Sequence, residues 1–173
     1  MFWTLWKMRN ELYFYHQVHK PEMAILRASK VVWTPPMPSN VKLNVDVAWR
    51  QQHIRRGLGY VLRDDHGILL LAVSKPGSFL SVSIGDALAI KAGLLRTVQA
   101  GYSNVTVESD NLEVIQMLQR KTTMADPYYI LRTANVVAHV LARKALSYIE
   151  QVFWLLTSPW LVDMCKLNNV SDQ

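Results

Sequence analysis

The chain has 173 residues, half of them hydrophobic and 18% charged, with a net charge of +6 and a pI near 9.5. That composition excludes a disordered chain and fits one globular domain with short extensions rather than two full domains. The basic balance favours an anionic partner, nucleic acid first. The single cysteine, Cys165, excludes an intramolecular disulfide and a cysteine-only metal site, and points to a reducing intracellular setting, nucleus or cytoplasm. No apolar run approaches the roughly 20 residues that cross a bilayer, so no membrane partner is expected.

Residues 3–19 set Trp3, Trp6, Leu12, Phe14 and Tyr15 among Lys7, Arg9 and Glu11, a helix-like aromatic stretch. Lys7 and Arg9 follow the apolar start instead of preceding it, and no small-residue cleavage site appears, so it does not read as a signal peptide. Pro35, Pro36 and Pro38 then remove backbone donors and mark the clearest boundary in the chain. The expected organisation is a helical extension and proline-rich linker over 1–38, a domain over 39–163 and a C-terminal tail over 164–173.

Within the domain, Val41, Leu43 and Val45 alternate with Lys42, Asn44 and Asp46, the period of a strand. Further strands are predicted at 59–63 and 68–73, joined across Asp64-Asp65-His66-Gly67, an Asp-rich loop ending in Gly that signals a hairpin. Ile84, Ala87, Leu88, Leu94, Leu95 and Val98 recur at helical spacing, with Gly101 placed to end the helix. Val105 to Asp110 reads as a strand that leads into a helix from Leu112 to about Arg120, capped by Ser109 or Asp110. Glu108 shares a strand face with Asp110 and reads as surface. A last helix is predicted from near Thr133, with Ala134, Val137, Ala138, Leu141, Ala142 and Ala145 as a small-residue stripe for close packing on a sheet. Three strands, a helix, a strand, a helix and a final helix predict an α/β domain with a mixed sheet flanked by helices.

Three stretches carry chemistry in this order: Leu43-Asn44-Val45-Asp46, Val107-Glu108-Ser109-Asp110-Asn111 and Thr133-Ala134-Asn135-Val136-Val137-Ala138-His139. With Gly57-Leu58-Gly59, Leu62-Arg63-Asp64, Ala87 to Leu94 and Leu141-Ala142-Arg143, they resemble the ribonuclease H fold. More closely, they resemble the plant ribonuclease H-like domains found alone or at the end of non-LTR retroelement polyproteins. The resemblance covers about Trp33 to Asp163.

That resemblance implies a ribonuclease H-like mixed sheet and an endonuclease that hydrolyses RNA in RNA/DNA hybrids with two divalent ions about 4 Å apart. Hard oxygen ligands hold such ions, Mg²⁺ or in its place Mn²⁺. The family's first acidic position falls on Asp46 and its third on Asp110. The second falls on Asp86, one methylene shorter than the family's Glu. The fourth falls on His139, four residues after Asn135, in an assisting role. Arg50, Arg55 and Arg56, read as a loop after the first strand, are the expected phosphate contacts, with a solvated loop as the other reading.

The family also fits a further helix and a fifth strand between Asp110 and Asn135, an interval that is short here. The fifth strand is therefore expected to be missing, or replaced by Tyr128 to Leu131. Otherwise the Val105–Asp110 strand becomes an open edge. Two function classes follow: a nuclease whose activity is reduced by Asp86 and the short interval, and a nucleic-acid-binding module of the same fold with little or no catalysis.

Overall fold

The computed structural model describes residues 32–49, 55–120 and 126–169. The aromatic stretch at 3–19 and Arg50 lie outside them, and nothing in the structure bears on either.

Six strands form one mixed sheet: β1 (Val41–Trp49), β2 (Arg56–Arg63), β3 (Leu69–Gly77), β4 (Val105–Ser109), β5 (Asp126–Tyr129) and β6 (Val152–Phe153). Their order across the sheet is β5-β4-β1-β2-β3-β6. β1, β2 and β3 form the antiparallel meander expected from the sequence, while β4 joins β1, and β5 joins β4, in parallel. The helices are α1 (Val82–Gln99), α2 (Leu112–Gln119), α3 (Val136–Ala145) and α4 (Pro159–Asn169). Among the described residues no helix is long and apolar enough to cross a membrane.

The turn chemistry between β2 and β3 is as the sequence indicates. Asp64 Oδ1 accepts from the amides of His66 and Ile68, and Gly67 supplies the positive φ of 77°. Asp65 accepts from the Ser39 amide at 2.7 Å, tying this hairpin to the segment before β1. Asp64, Asp65 and His66 bring possible metal-ligand atoms together, but these bonds account for the carboxylates as turn-formers.

β1 is buried on both faces from Val41 to Ala48. Leu43, Val45 and Val47 enter a core with Tyr60, Val73, Ile90, Val107 and Val114. A second core on the other face gathers Val61, Ala72, Val137, Ala138, Leu141, Leu161 and Cys165. The expected small-residue stripe of α3 is the reason that helix packs so tightly. A Cβ added at Gly59 would lie 2.2 Å from the Ala142 amide nitrogen and 2.4 Å from the Ala138 carbonyl oxygen. Both are backbone atoms, which cannot swing aside. Gly59→Ala is therefore expected to lower stability by about 1–3 kcal/mol or more, read as a shift in the urea midpoint. An unchanged midpoint would show that α3 has room to move.

Two expectations need correcting. The buried face of α1 is Gly85, Asp86, Ala89, Ile90, Gly93 and Thr97, whereas Ile84, Leu88, Leu95 and Val98 are exposed. Small residues face the sheet because the helix lies close to it: a Cβ at Gly93 would sit 2.8 Å from Leu43. Glu108, read as surface, is buried: its carboxylate meets Lys42 at 2.6 Å and accepts from Asn44 at 2.8 Å, both on the neighbouring β1.

The short interval does build a strand. β5 comprises Asp126–Tyr129, two residues earlier than Tyr128–Leu131, and pairs along β4. The edge of this sheet is therefore β5, where Pro127 is tolerated, and β4 is not open.

Candidate active site

The sheet register sets the first two acidic residues. β1 and β4 run parallel with Asn44 opposite Glu108 and Val45 opposite Ser109. The next residues along, Asp46 and Asp110, therefore come side by side. On the other side of β1, Asp46 is paired with Gly59, whose missing side chain lets α3 close over this point.

Asp46 is 2% exposed and both of its oxygens are engaged. Oδ1 accepts from the Val47 amide at 2.7 Å, and Oδ2 lies 2.6 Å from His139 Nδ1. His139 is on the first turns of α3, and that helix is anchored to β1 by Asn135, whose Nδ2 donates to the Val45 carbonyl at 2.7 Å. The helix begins at Val136 rather than near Thr133 because residues 131–135 close a turn first: Ala134 N–H bonds to Leu131 O and Asn135 N–H to Arg132 O.

Asp86 reaches the site from α1. It is 1% exposed, and its Oδ2 accepts from Asn111 Nδ2 at 2.7 Å, while Oδ1 is buried with no hydrogen-bond partner. Asn111 also caps α2 by accepting from the Val114 amide, a role the sequence reading gave to Ser109 or Asp110. One side chain therefore fixes the start of a helix and aims a carboxylate. The β4 to α2 stretch suggested a cap here, but the bond to Asp86 joins residues far apart in sequence and left no local signal.

Asp110 is buried in its side chain and makes an ion pair with Arg132 Nε at 2.6 Å. Arg132 was not anticipated as part of the site. Of the three arginines expected to contact phosphate, Arg50 is outside the described residues and Arg55 is exposed. Arg56 is not in a loop but opens β2, where its guanidinium lies 4.1 Å from the Trp49 ring centroid and 5.5 Å from that of Phe79.

The three carboxylates feel one another. Burial pushes the Asp86 carboxyl from 3.8 up to about 7, the Asn111 hydrogen bond opposes it, and the charges of Asp46 and Asp110 add to it. Asp46 is raised first by burial and also by Asp110, against the opposing pull of His139. The folded protein thus holds protons on Asp86 that the unfolded chain releases near pH 4. The resulting stabilisation is present below that pH and is lost as pH rises through about 7. In metal-free protein, Asp86→Asn is expected to remove this fall, so that its stability exceeds wild type more at pH 8 than at pH 5. Urea melts at the two values check it, and parallel behaviour of the two proteins would contradict it.

The donor set fits a hard divalent cation: three carboxylates from β1, α1 and the end of β4, with one buried oxygen left without a partner. Of the residues named from the sequence, Asp46, Asp86 and Asp110 lie near enough to act on one another electrostatically, and His139 meets Asp46 directly.

The reverse transcriptase-like family matches residues 44–129 of the chain. No curated protein sequence shows significant similarity to it. Among solved structures, the N-terminal ribonuclease H domain of a Mycobacterium tuberculosis protein, solved as a fusion with maltose-binding protein, is similar at 18% identity and a TM-score of 0.56. The match covers 62% of this chain and 94% of that one. Ribonuclease H1 of Halobacterium salinarum gives 18% identity and a TM-score of 0.57, covering 62% and 98%. LC11 ribonuclease H1, solved in complex with an RNA/DNA hybrid, gives 16% and 0.56, covering 62% and 96%. With its mixed six-stranded sheet and flanking helices, the chain has the ribonuclease H-like fold.

Proposed function

We propose that this domain is a ribonuclease H-type nuclease that hydrolyses the RNA strand of RNA/DNA hybrids with the help of divalent ions, Mg²⁺ or Mn²⁺. The observation that carries the reading is the convergence of Asp46, Asp86 and Asp110 from three separate elements, with an oxygen of Asp86 left unsatisfied. A bound divalent cation supplies Lewis acidity toward the phosphodiester and offsets the crowded negative charge. Asp46, Asp86 and Asp110 are the residues to hold it. Asn111 aims Asp86, and Asn135 fixes α3 on β1. His139, itself partly exposed beside the buried Asp46, is placed to hold a proton near the reacting atoms.

The hybrid as substrate is supported by the LC11 ribonuclease H1 complex and by the net charge of +6. Recognition through A-like helix shape and the RNA 2′-OH suits such a partner, and phosphate contacts, Arg55 among them, make binding salt-sensitive. The plant, retroelement-derived origin and the nuclear or cytoplasmic setting belong to this same reading.

The test is cleavage of a hybrid labelled on its RNA strand by the purified, folded chain, with Mg²⁺ and with chelator. Cleavage that needs the ion supports the nuclease. A folded protein that binds the hybrid and leaves it intact is instead the non-catalytic binding module, a reading favoured by the Arg132 ion pair on Asp110.

A further inference from the structure

The three carboxylates are partnered in different ways. Asp46 has His139, Asp86 has only the amide of Asn111, and Asp110 has a guanidinium in direct contact. Arg132 is set there by the chain around it. Just before it, the Ile130 amide bonds to the Ser109 carbonyl, which pins the chain beside the end of β4. Just after it, Asn135 is bonded to the Val45 carbonyl on β1. The turn between these two anchors carries Arg132 past the end of β4, beside Asp110. Its Nε lies 2.6 Å from Asp110 Oδ2, with Asp110 buried and Arg132 more than half exposed. The field of Arg132 also acts on Asp46 and Asp86.

We propose that Arg132 is a built-in cation of this site: its guanidinium takes one oxygen of Asp110, so that Asp46, Asp86 and Asp110 together hold one divalent ion rather than two. The inference rests on the metal-binding reading above and says which charges complete it. A guanidinium suits the role. It is always charged, its planar fork matches carboxylate and phosphate oxygens alike, and its exposed edge still has donors to offer a substrate phosphate. Arg132 would then position and neutralise a phosphate where an all-carboxylate site uses a second ion. The division also gives the short interval between α2 and α3 a chemical consequence, since it is this connection that delivers Arg132 to the carboxylates.

The experiment counts ions. Mn²⁺ is titrated into the purified full chain at pH 8, and bound ions are counted from the loss of the free-ion EPR signal. Wild type, Arg132→Ala and Arg132→Gln are compared, each folded by thermal melting. All carry Asp65→Asn, so that the exposed hairpin turn does not add to the count. The expected result is one ion for wild type and a second for the variants. Equal or smaller numbers in both variants, or two ions already in wild type, would overturn the role of Arg132 while leaving the metal site standing. No ion in any of the proteins would overturn the metal reading itself.

Discussion

Asp46→Asn is expected to abolish cleavage of an RNA/DNA hybrid, with a loss well beyond the roughly 10–100-fold that removal of an outer-sphere partner costs a metal site. Asp46 is where the electrostatics of the site meet: it adjoins Asp110 through the β1–β4 register, contacts His139 at 2.6 Å, and its charge helps raise Asp86. The amide keeps the shape and the oxygen that accepts from the Val47 amide. It removes the charge that a hard cation requires. Because burial already raises the Asp46 carboxyl, the amide is not expected to unfold the domain. Loss of cleavage with an unchanged melting curve is thus the specific signature. Wild-type rates in Asp46→Asn would place the chemistry elsewhere.

Glu108→Ala is expected to destabilise the fold by about 3–5 kcal/mol, the usual cost of stranding buried charge. Glu108 lies between two buried cations on the α3 side of the sheet. Lys42 Nζ meets Oε1 at 2.6 Å and also donates to the Thr34 carbonyl. Asn44 donates to Oε2 at 2.8 Å and in turn accepts from Arg63 Nη2 at 2.9 Å. Arg63 is fully buried and stacks 3.6 Å from the Trp33 ring centroid, and burial lowers it to about 10. Without the carboxylate, Lys42 and Asn44 lose their shared acceptor, and Arg63 loses the favourable charge behind Asn44. Glu108→Gln keeps an acceptor for Lys42 and should lose less. Urea denaturation of both variants measures it, and a loss under about 1 kcal/mol for Glu108→Ala would show that water or Asn44 compensates.

Much of this arrangement was legible in the sequence where the signal is local. The alternation of Val41, Leu43 and Val45 with Lys42, Asn44 and Asp46 identified β1, and Asp64 to Gly67 identified the hairpin. The Ala-rich stripe of α3 announced close packing, which Gly57 and Gly59 receive. What escaped was set by partners distant in the chain. Glu108 reads as surface until Lys42 and Asn44 are brought beside it. The buried face of α1 is built from Gly85, Ala89 and Gly93, so a search for large apolar residues selects the wrong side. Arg132 carries no mark of its destination, because the turn that delivers it to Asp110 is fixed by bonds to β1 and β4. The two-residue β6 has too short a period to register, and α4 begins at a proline that reads equally as a loop.

The most direct test of the central claim, that Asp46, Asp86 and Asp110 form one cation site, needs no substrate. Thermal melting at pH 8 is compared with and without Mg²⁺ for wild type and for the Asp46→Asn/Asp86→Asn double variant. A cation that binds only the folded chain stabilises it by about 2.7 kcal/mol at a hundred times its Kd. Wild type should therefore melt several degrees higher with saturating Mg²⁺. The double variant, relieved of its crowded charge, should match or exceed metal-free wild type and ignore the ion. Melting of wild type that is indifferent to Mg²⁺, or an equal Mg²⁺ response in the double variant, would contradict the claim.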